Sequence, residues 1–85
     1  MGLDLVETVY SIEEKFGITI PDEVATTLTT PRKVIDYLMS RSEVNEKWSR
    51  DYVKTSVWII IENEGGINRE DFNEDSRFVE DMGMG

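Results

Sequence analysis

The stretch LDLVETVYSIEEKFGITIPDE, residues 3–23, decides the architecture of this 85-residue chain. Leu5, Val9, Ile12 and Phe16 recur at helical spacing with Val6 beside them, which predicts one amphipathic helix over residues 3–16. Gly17 then supplies a stop, because glycine enters the left-handed region that ends a helix at little cost. Asp4, Glu7, Ser11 and Glu14 form a second stripe on a different face, almost wholly acidic. The charge is presented on one side rather than scattered. Ile18 and Ile20 turn apolar groups inward from a loop, and Pro21, Asp22 and Glu23 open a short helix, where proline and acids suit the first turn.

Working outward, Thr30-Pro31 pairs an N-cap with proline at the first helical position, starting a helix that buries Val34, Ile35 and Leu38. A polar stretch, SRSEVNEKWSR (40–50), precedes a long helix expected over about Trp48 to Asn63. Ser40 with Glu43 has capping-box spacing, and Ser49 is a second cap. Trp48, Tyr52, Val53, Val57, Ile60 and Ile61 make the apolar side, and Gly65-Gly66 ends the helix. The remainder is a long loop anchored by Ile67, Phe72, Phe78 and Val79. The prediction is a single all-α domain over residues 1–85, a bundle of three longer helices and one short one with a long loop.

Composition removes several kinds of chemistry. Cysteine and histidine are both absent, which excludes thiolate sites, imidazole metal ligands and the commonest general base. No run of about 18 apolar residues suggests a membrane span, so a cytoplasmic protein is expected. Eighteen acids against nine bases give a net charge of −9, which repels nucleic acid and anionic membranes and favours basic partners. The acids offer no pair placed in a dry pocket, so an enzyme is not expected. NEDSRFVED (73–81) lacks the ligand spacing of an EF-hand loop, and no metal site is expected.

Three motifs carry a family resemblance that covers nearly the whole chain. LDLVETVYSIEEKFGITIPDE resembles the second helix and following loop of acyl carrier proteins, whose usual form is D-S-L-D-x-V-E, an apolar-acidic helix, then F-x-x-x-I-P-D-E. LTTPRKVIDYL (28–38) is similar to the family's closing helix, typically I-T-T-V-x-x-x-I-D-Y-I, and REDFNEDSRFVEDMG (69–83) to its long first loop. SRDYVKTSVWIIIENEGGI occupies the place of the first helix.

The order differs from the family. Residues 3–38 resemble helices II to IV, residues 49–85 resemble helix I and the following loop, and residues 39–48 act as a linker over the original termini. The resemblance therefore implies a circularly permuted acyl-carrier-like four-helix bundle. Met39, followed by small polar residues, resembles an ordinary protein start placed in the interior. A natural permutation, an engineered one and a segment spanning a tandem pair all produce this order, and the internal start favours the engineered one.

By resemblance the function is acyl-group carriage: a serine at a helix N-terminus receives 4′-phosphopantetheine, whose thiol holds acyl intermediates as thioesters for fatty acid, lipid or polyketide synthesis. Unpaired N–H groups and the positive dipole end suit an incoming phosphate there. The attachment point is bordered by Gly85, Gly2, Leu3 and Asp4, but where the family pattern has serine before Leu3 this sequence has Gly2. Two readings stay open. Either a modified serine goes unwritten and carries the cofactor, or serine is absent and there is no cofactor.

The resemblance implies partner recognition by Asp4, Glu7, Glu13 and Glu14, with Asp22 and Glu23 as a secondary edge. The partners are a phosphopantetheinyl transferase and acyl-processing enzymes with basic patches, meeting a monomer that binds neither nucleic acid nor membrane. It also implies an acyl cleft among Val9, Phe16, Ile20, Leu28, Ile35 and Ile60, with Tyr10 and Trp58 as bulky residues that alter its fit. The alternative is an acyl-carrier-like interaction module without prosthetic group, binding a basic protein through its acidic helix.

Overall fold

The computed structural model describes residues 3–85, with the side chain of Leu3 outside the description. Five α-helices follow in order: α1 Leu3–Phe16, α2 Asp22–Ala25, α3 Pro31–Ser40, α4 Ser42–Asn45 and α5 Arg50–Gly65. A 3₁₀ turn at Arg69–Asp71 interrupts the long C-terminal loop, and no strand occurs among the described residues. The fold is an all-α, acyl-carrier-like helical bundle. α1 and α3 both pack on α5, which forms its spine.

Local chemistry explains most boundaries. Gly17 ends α1 with φ +68°, and Gly66 caps α5 with φ +64°, the left-handed conformation that spares glycine a Cβ clash. Thr30 caps α3, its Oγ1 accepting from the Lys33 N–H at 3.3 Å, with Pro31 at the first helical position. Ser49 caps α5 by accepting from the Tyr52 N–H at 3.2 Å, so this helix starts at Arg50, two residues after Trp48, and runs on to Gly65.

The polar stretch is where the structure departs most from the expected count of one short helix. Residues 42–45 form a second short helix, α4, and Val44 within it is completely buried. Ser40 and Glu43 do not make a capping box. Ser40 Oγ donates back to the Tyr37 carbonyl, and Glu43 instead binds Arg41 at 2.7 Å. Arg41 also donates to the Tyr37 hydroxyl at 2.8 Å and the Thr19 carbonyl at 3.3 Å, tying this corner to the α1–α2 loop.

The core gathers Ile12, Phe16, Ile35, Leu38, Val44, Val53, Val57 and Ile61 from all the longer helices and α4. Phe72, Phe78 and Met84 bring the C-terminal loop onto it, Met84 packing against Gly65. Val79, expected as an anchor, is half exposed.

Candidate functional site

A cavity of about 240 Å³ lies between α1, α2, α3 and the end of the C-terminal loop. Leu5, Thr8, Val9 and Ile12 line it from α1, spaced so that one face of two turns supplies the wall. Ile20, Ala25 and Leu28 close it from the α1–α2 loop, α2 and the segment after it. Val34 comes from α3, and Phe78, Val79 and Glu80 from the loop. The lining is mostly apolar. Thr8 is buried at the wall, but its hydroxyl donates to the Asp4 carbonyl at 2.7 Å, so its hydrogen is satisfied.

Three of the six residues assigned to a cleft from the sequence meet here: Val9, Ile20 and Leu28. Phe16 and Ile35 do not line the cavity and are core residues, Phe16 lying edge-on to Trp48 with ring centroids 5.3 Å apart. Ile60 borders a separate small pocket of about 170 Å³ between α1 and α5. Tyr10 is 64% exposed outside the cavity, and Trp58 packs on Phe72 at 5.0 Å, so neither shapes it. Leu5, Ile12, Ala25, Val34, Phe78 and Val79 add the rest of the apolar lining, with Thr8, Thr26, Thr29 and Glu80 as its polar members. Leu5 and Ile12 were visible as members of the α1 stripe; the rest are juxtaposed only by tertiary packing.

The attachment region is described in part. Gly2 lies outside the described residues. The backbone of Leu3 begins α1, and Asp4 is half-buried in its first turn. Gly85 rests against Val79, where a Cβ on the glycine would stand 3.2 Å from Val79 Cγ1. Val79 and Leu5 line the same cavity, so the loop end and the start of α1 border one space.

Of the recognition residues, Glu7 and Glu14 are exposed on α1, and Asp22 and Glu23 are exposed on α2. At about 100° per residue, Asp4, Glu7 and Glu14 share a face, whereas Glu13 is turned well away from it. Glu13 serves the fold instead. Its Oε2 accepts from the Ile20 N–H at 2.7 Å, fixing the loop that follows α1. An open groove between α1 and α2, bordered by Val6, Tyr10, Glu13, Pro21 and Asp22, runs beside the acidic face.

Where the C-terminal loop meets α3 and α5, an acid is paired internally. Glu74, in the C-terminal loop, accepts from Arg50 at 2.6 Å and meets Lys54 at 3.1 Å and Arg32 at 3.5 Å. Its side chain is 14% exposed. The Arg50 bond chiefly, with Lys54 assisting, holds its carboxyl down at about 2. Arg32 also forms a two-point pair with Asp75, and its backbone N–H donates to the Glu74 carbonyl. Among the described residues no three carboxylates are grouped to hold a metal, and no helix is long and apolar enough to cross a membrane.

Comparison with known proteins adds one finding. No protein-family model matches the chain, and no solved structure matches it. Among curated proteins it is 49% identical over 38 residues to an acyl carrier protein of Rubrobacter xylanophilus. The match takes in 45% of this chain and 47% of that relative, so the chain spans about half of that relative's length. Its motifs, its all-helical bundle and this match agree in likening the chain, over about half its length, to the acyl carrier proteins.

Proposed function

We propose that the chain works as a cytoplasmic carrier of acyl groups for fatty acid, lipid or polyketide synthesis, and not as an enzyme. It shelters an apolar chain inside the bundle while its acidic face docks on acyl-processing enzymes. The observation that carries this is the apolar cavity beside the start of α1, in a chain related to acyl carrier proteins. Burying each methylene contributes about 0.8 kcal/mol, so a chain drawn into the cavity stabilises the bundle that shelters it. Exposed ion pairs at Asp4, Glu7 and Glu14 are each worth only about 0.2–1 kcal/mol, giving contacts that form and release quickly and weaken with salt. A monomer offers that face to each enzyme in turn.

We also read the chain as a rotated carrier. What supports this is that Leu5 and Val79 border one cavity and Gly85 rests on Val79, as a loop-to-helix junction between these segments would require. Residues 39–48 bridge the family's usual termini.

The prosthetic group itself does not fit the residues present. Phosphopantetheine, when bound, supplies a thiol for the acyl thioester, but its attachment needs a serine hydroxyl before Leu3. Gly2 has none, and neither has Gly85. Nearby hydroxyls do not substitute: Thr8 is buried and Ser11 donates to Glu64 at 3.0 Å. This mismatch favours a second reading, an acyl-carrier-like interaction module that docks a basic protein without carrying a cofactor.

Intact-protein mass separates the readings. With a phosphopantetheinyl transferase and coenzyme A, the written polypeptide is expected to keep its mass, and Gly2→Ser to gain one phosphopantetheine arm. Purified protein already bearing the arm reveals an unwritten serine. A Gly2→Ser chain that stays unmodified leaves the interaction module.

A further inference from the structure

We infer that Arg41 is a positioning residue for docking: together with Glu13 it grips one peptide group, and so sets where Asp22 and Glu23 stand relative to the acidic face of α1. The inference rests on the docking half of the carrier reading and says what holds its secondary edge in place.

The Thr19 carbonyl and the Ile20 N–H belong to the same peptide unit. In a planar trans peptide the two groups point in opposite directions, so partners on both fix the plane rather than a single atom. Glu13 Oε2 takes the N–H at 2.7 Å from the α1 side. Arg41 Nη1 donates to the carbonyl at 3.3 Å from the junction of α3 and α4. Just beyond Pro21 the chain enters α2, which has four residues and buries only Ala25, so its own packing anchors it weakly. The direction in which the chain leaves the gripped peptide therefore decides where Asp22 and Glu23 are carried.

Arg41 is itself held in place. It ends α3 and opens α4, its N–H donating to the Leu38 carbonyl at 3.1 Å and its carbonyl accepting from the Val44 and Asn45 N–H groups at 3.0 and 2.9 Å. Val44, completely buried, anchors that turn to the core. The guanidinium forks onto Glu43 at 2.7 and 3.3 Å and donates to the Tyr37 hydroxyl at 2.8 Å. Because a guanidinium is planar and rigid, these bonds also aim Nη1 at the Thr19 carbonyl. Residues 39–48, expected to act as a linker, thus reach back to the loop that leads into α2.

The test measures binding of a purified phosphopantetheinyl transferase, without coenzyme A, by isothermal titration calorimetry at low salt. Positioning and plain charge give opposite signs. Removing a cation from an acidic protein strengthens its attraction to a basic partner, whereas releasing the peptide misplaces Asp22 and Glu23 and weakens it. Arg41→Gln is expected to weaken binding about threefold, within the worth of one exposed ion pair. Arg41→Lys keeps the charge but lacks the fork, and should weaken it as well. The Thr19 carbonyl carbon should shift in NMR in both variants. With Asp22→Asn and Glu23→Gln already in place, Arg41→Gln should have no further effect, an outcome that a merely structural role does not produce. Unchanged or tighter binding in Arg41→Gln, or the same loss without the α2 acids, overturns the assignment while leaving docking intact. A wild type that does not bind the transferase removes the docking reading, and this role with it.

Discussion

Residues 3–30 and residues 31–85 differ in how they pair their charges. The first region has six carboxylates and one lysine, and among the described residues none of the six is in an ion pair. In the second, all five arginines are paired: Arg32, Arg41, Arg50, Arg69 and Arg77. Uncompensated acids cost stability through self-repulsion, by about 0.2–0.5 kcal/mol for neighbours such as Asp4 and Glu7 on one helix face. Residues 31–85 also keep acids outside any ion pair, Glu46, Asp51, Glu64, Glu70 and Asp71 among the described residues, so the difference lies in the pairing of the arginines rather than in net charge. The paired region serves as scaffold, with Glu74 fastening the loop to α3 and α5. On the carrier reading, the unpaired acids of residues 3–30 are the ones that meet cations of another molecule.

The largest effect expected from this contrast is on docking. Replacing Asp4, Glu7 and Glu14 with lysine reverses the face and should weaken binding to a carrier-dependent acyl-processing enzyme by about a hundredfold at low salt, since each exposed pair lost contributes up to about 1 kcal/mol and repulsion replaces it. Helical circular dichroism should be nearly unchanged, because none of the three carboxylates is part of the core. Binding that survives in low salt removes α1 as the recognition face.

Next comes the scaffold side, where the readout is stability. Glu74→Gln keeps the shape but loses the charge that faces Arg50, Lys54 and Arg32, and should cost about 2 kcal/mol by urea denaturation. The pH dependence has a definite sign. The folded-state value lies below the ordinary 4.5, so the contribution is present in full above about 4.5 and disappears as pH falls towards 2. The wild type should lose stability through that window more steeply than Glu74→Gln. Parallel curves would show that the loop is held by its apolar anchors alone.

The same contrast explains which features were legible in the sequence. The limits of α1, the Thr30-Pro31 start of α3 and the Ser49 cap all depend on neighbours within a few residues, and periodicity and capping chemistry read them correctly. α4 escaped because a single turn with one apolar residue, Val44, has no period to detect. The cavity was half legible for a related reason. An apolar stripe on α1 shows that Val9 and Ile12 face inward, but not whether a cavity or a packed ring lies opposite. Phe16 meets Trp48, whereas Ile12 borders the cavity, and only the tertiary arrangement distinguishes them. Glu74 looked like one more acid in an acidic loop; its three cations come from positions 20 or more residues away in the chain.

Glu13 gives the smallest effect and the sharpest division, because it belongs to the acidic helix by sequence and to the scaffold by geometry. Its bond to the Ile20 N–H positions a residue that lines the cavity. Glu13→Ala should therefore cost about 1 kcal/mol, comparable to loss of a helix cap, and speed amide exchange at Ile20. Docking should change less than for Glu14→Ala, since Glu14 is exposed and Glu13 points towards the loop. If Glu13→Ala leaves exchange at Ile20 untouched yet weakens docking as much as Glu14→Ala, then charge on α1 acts as a general field rather than as a face, and the boundary between scaffold and surface has to be drawn elsewhere.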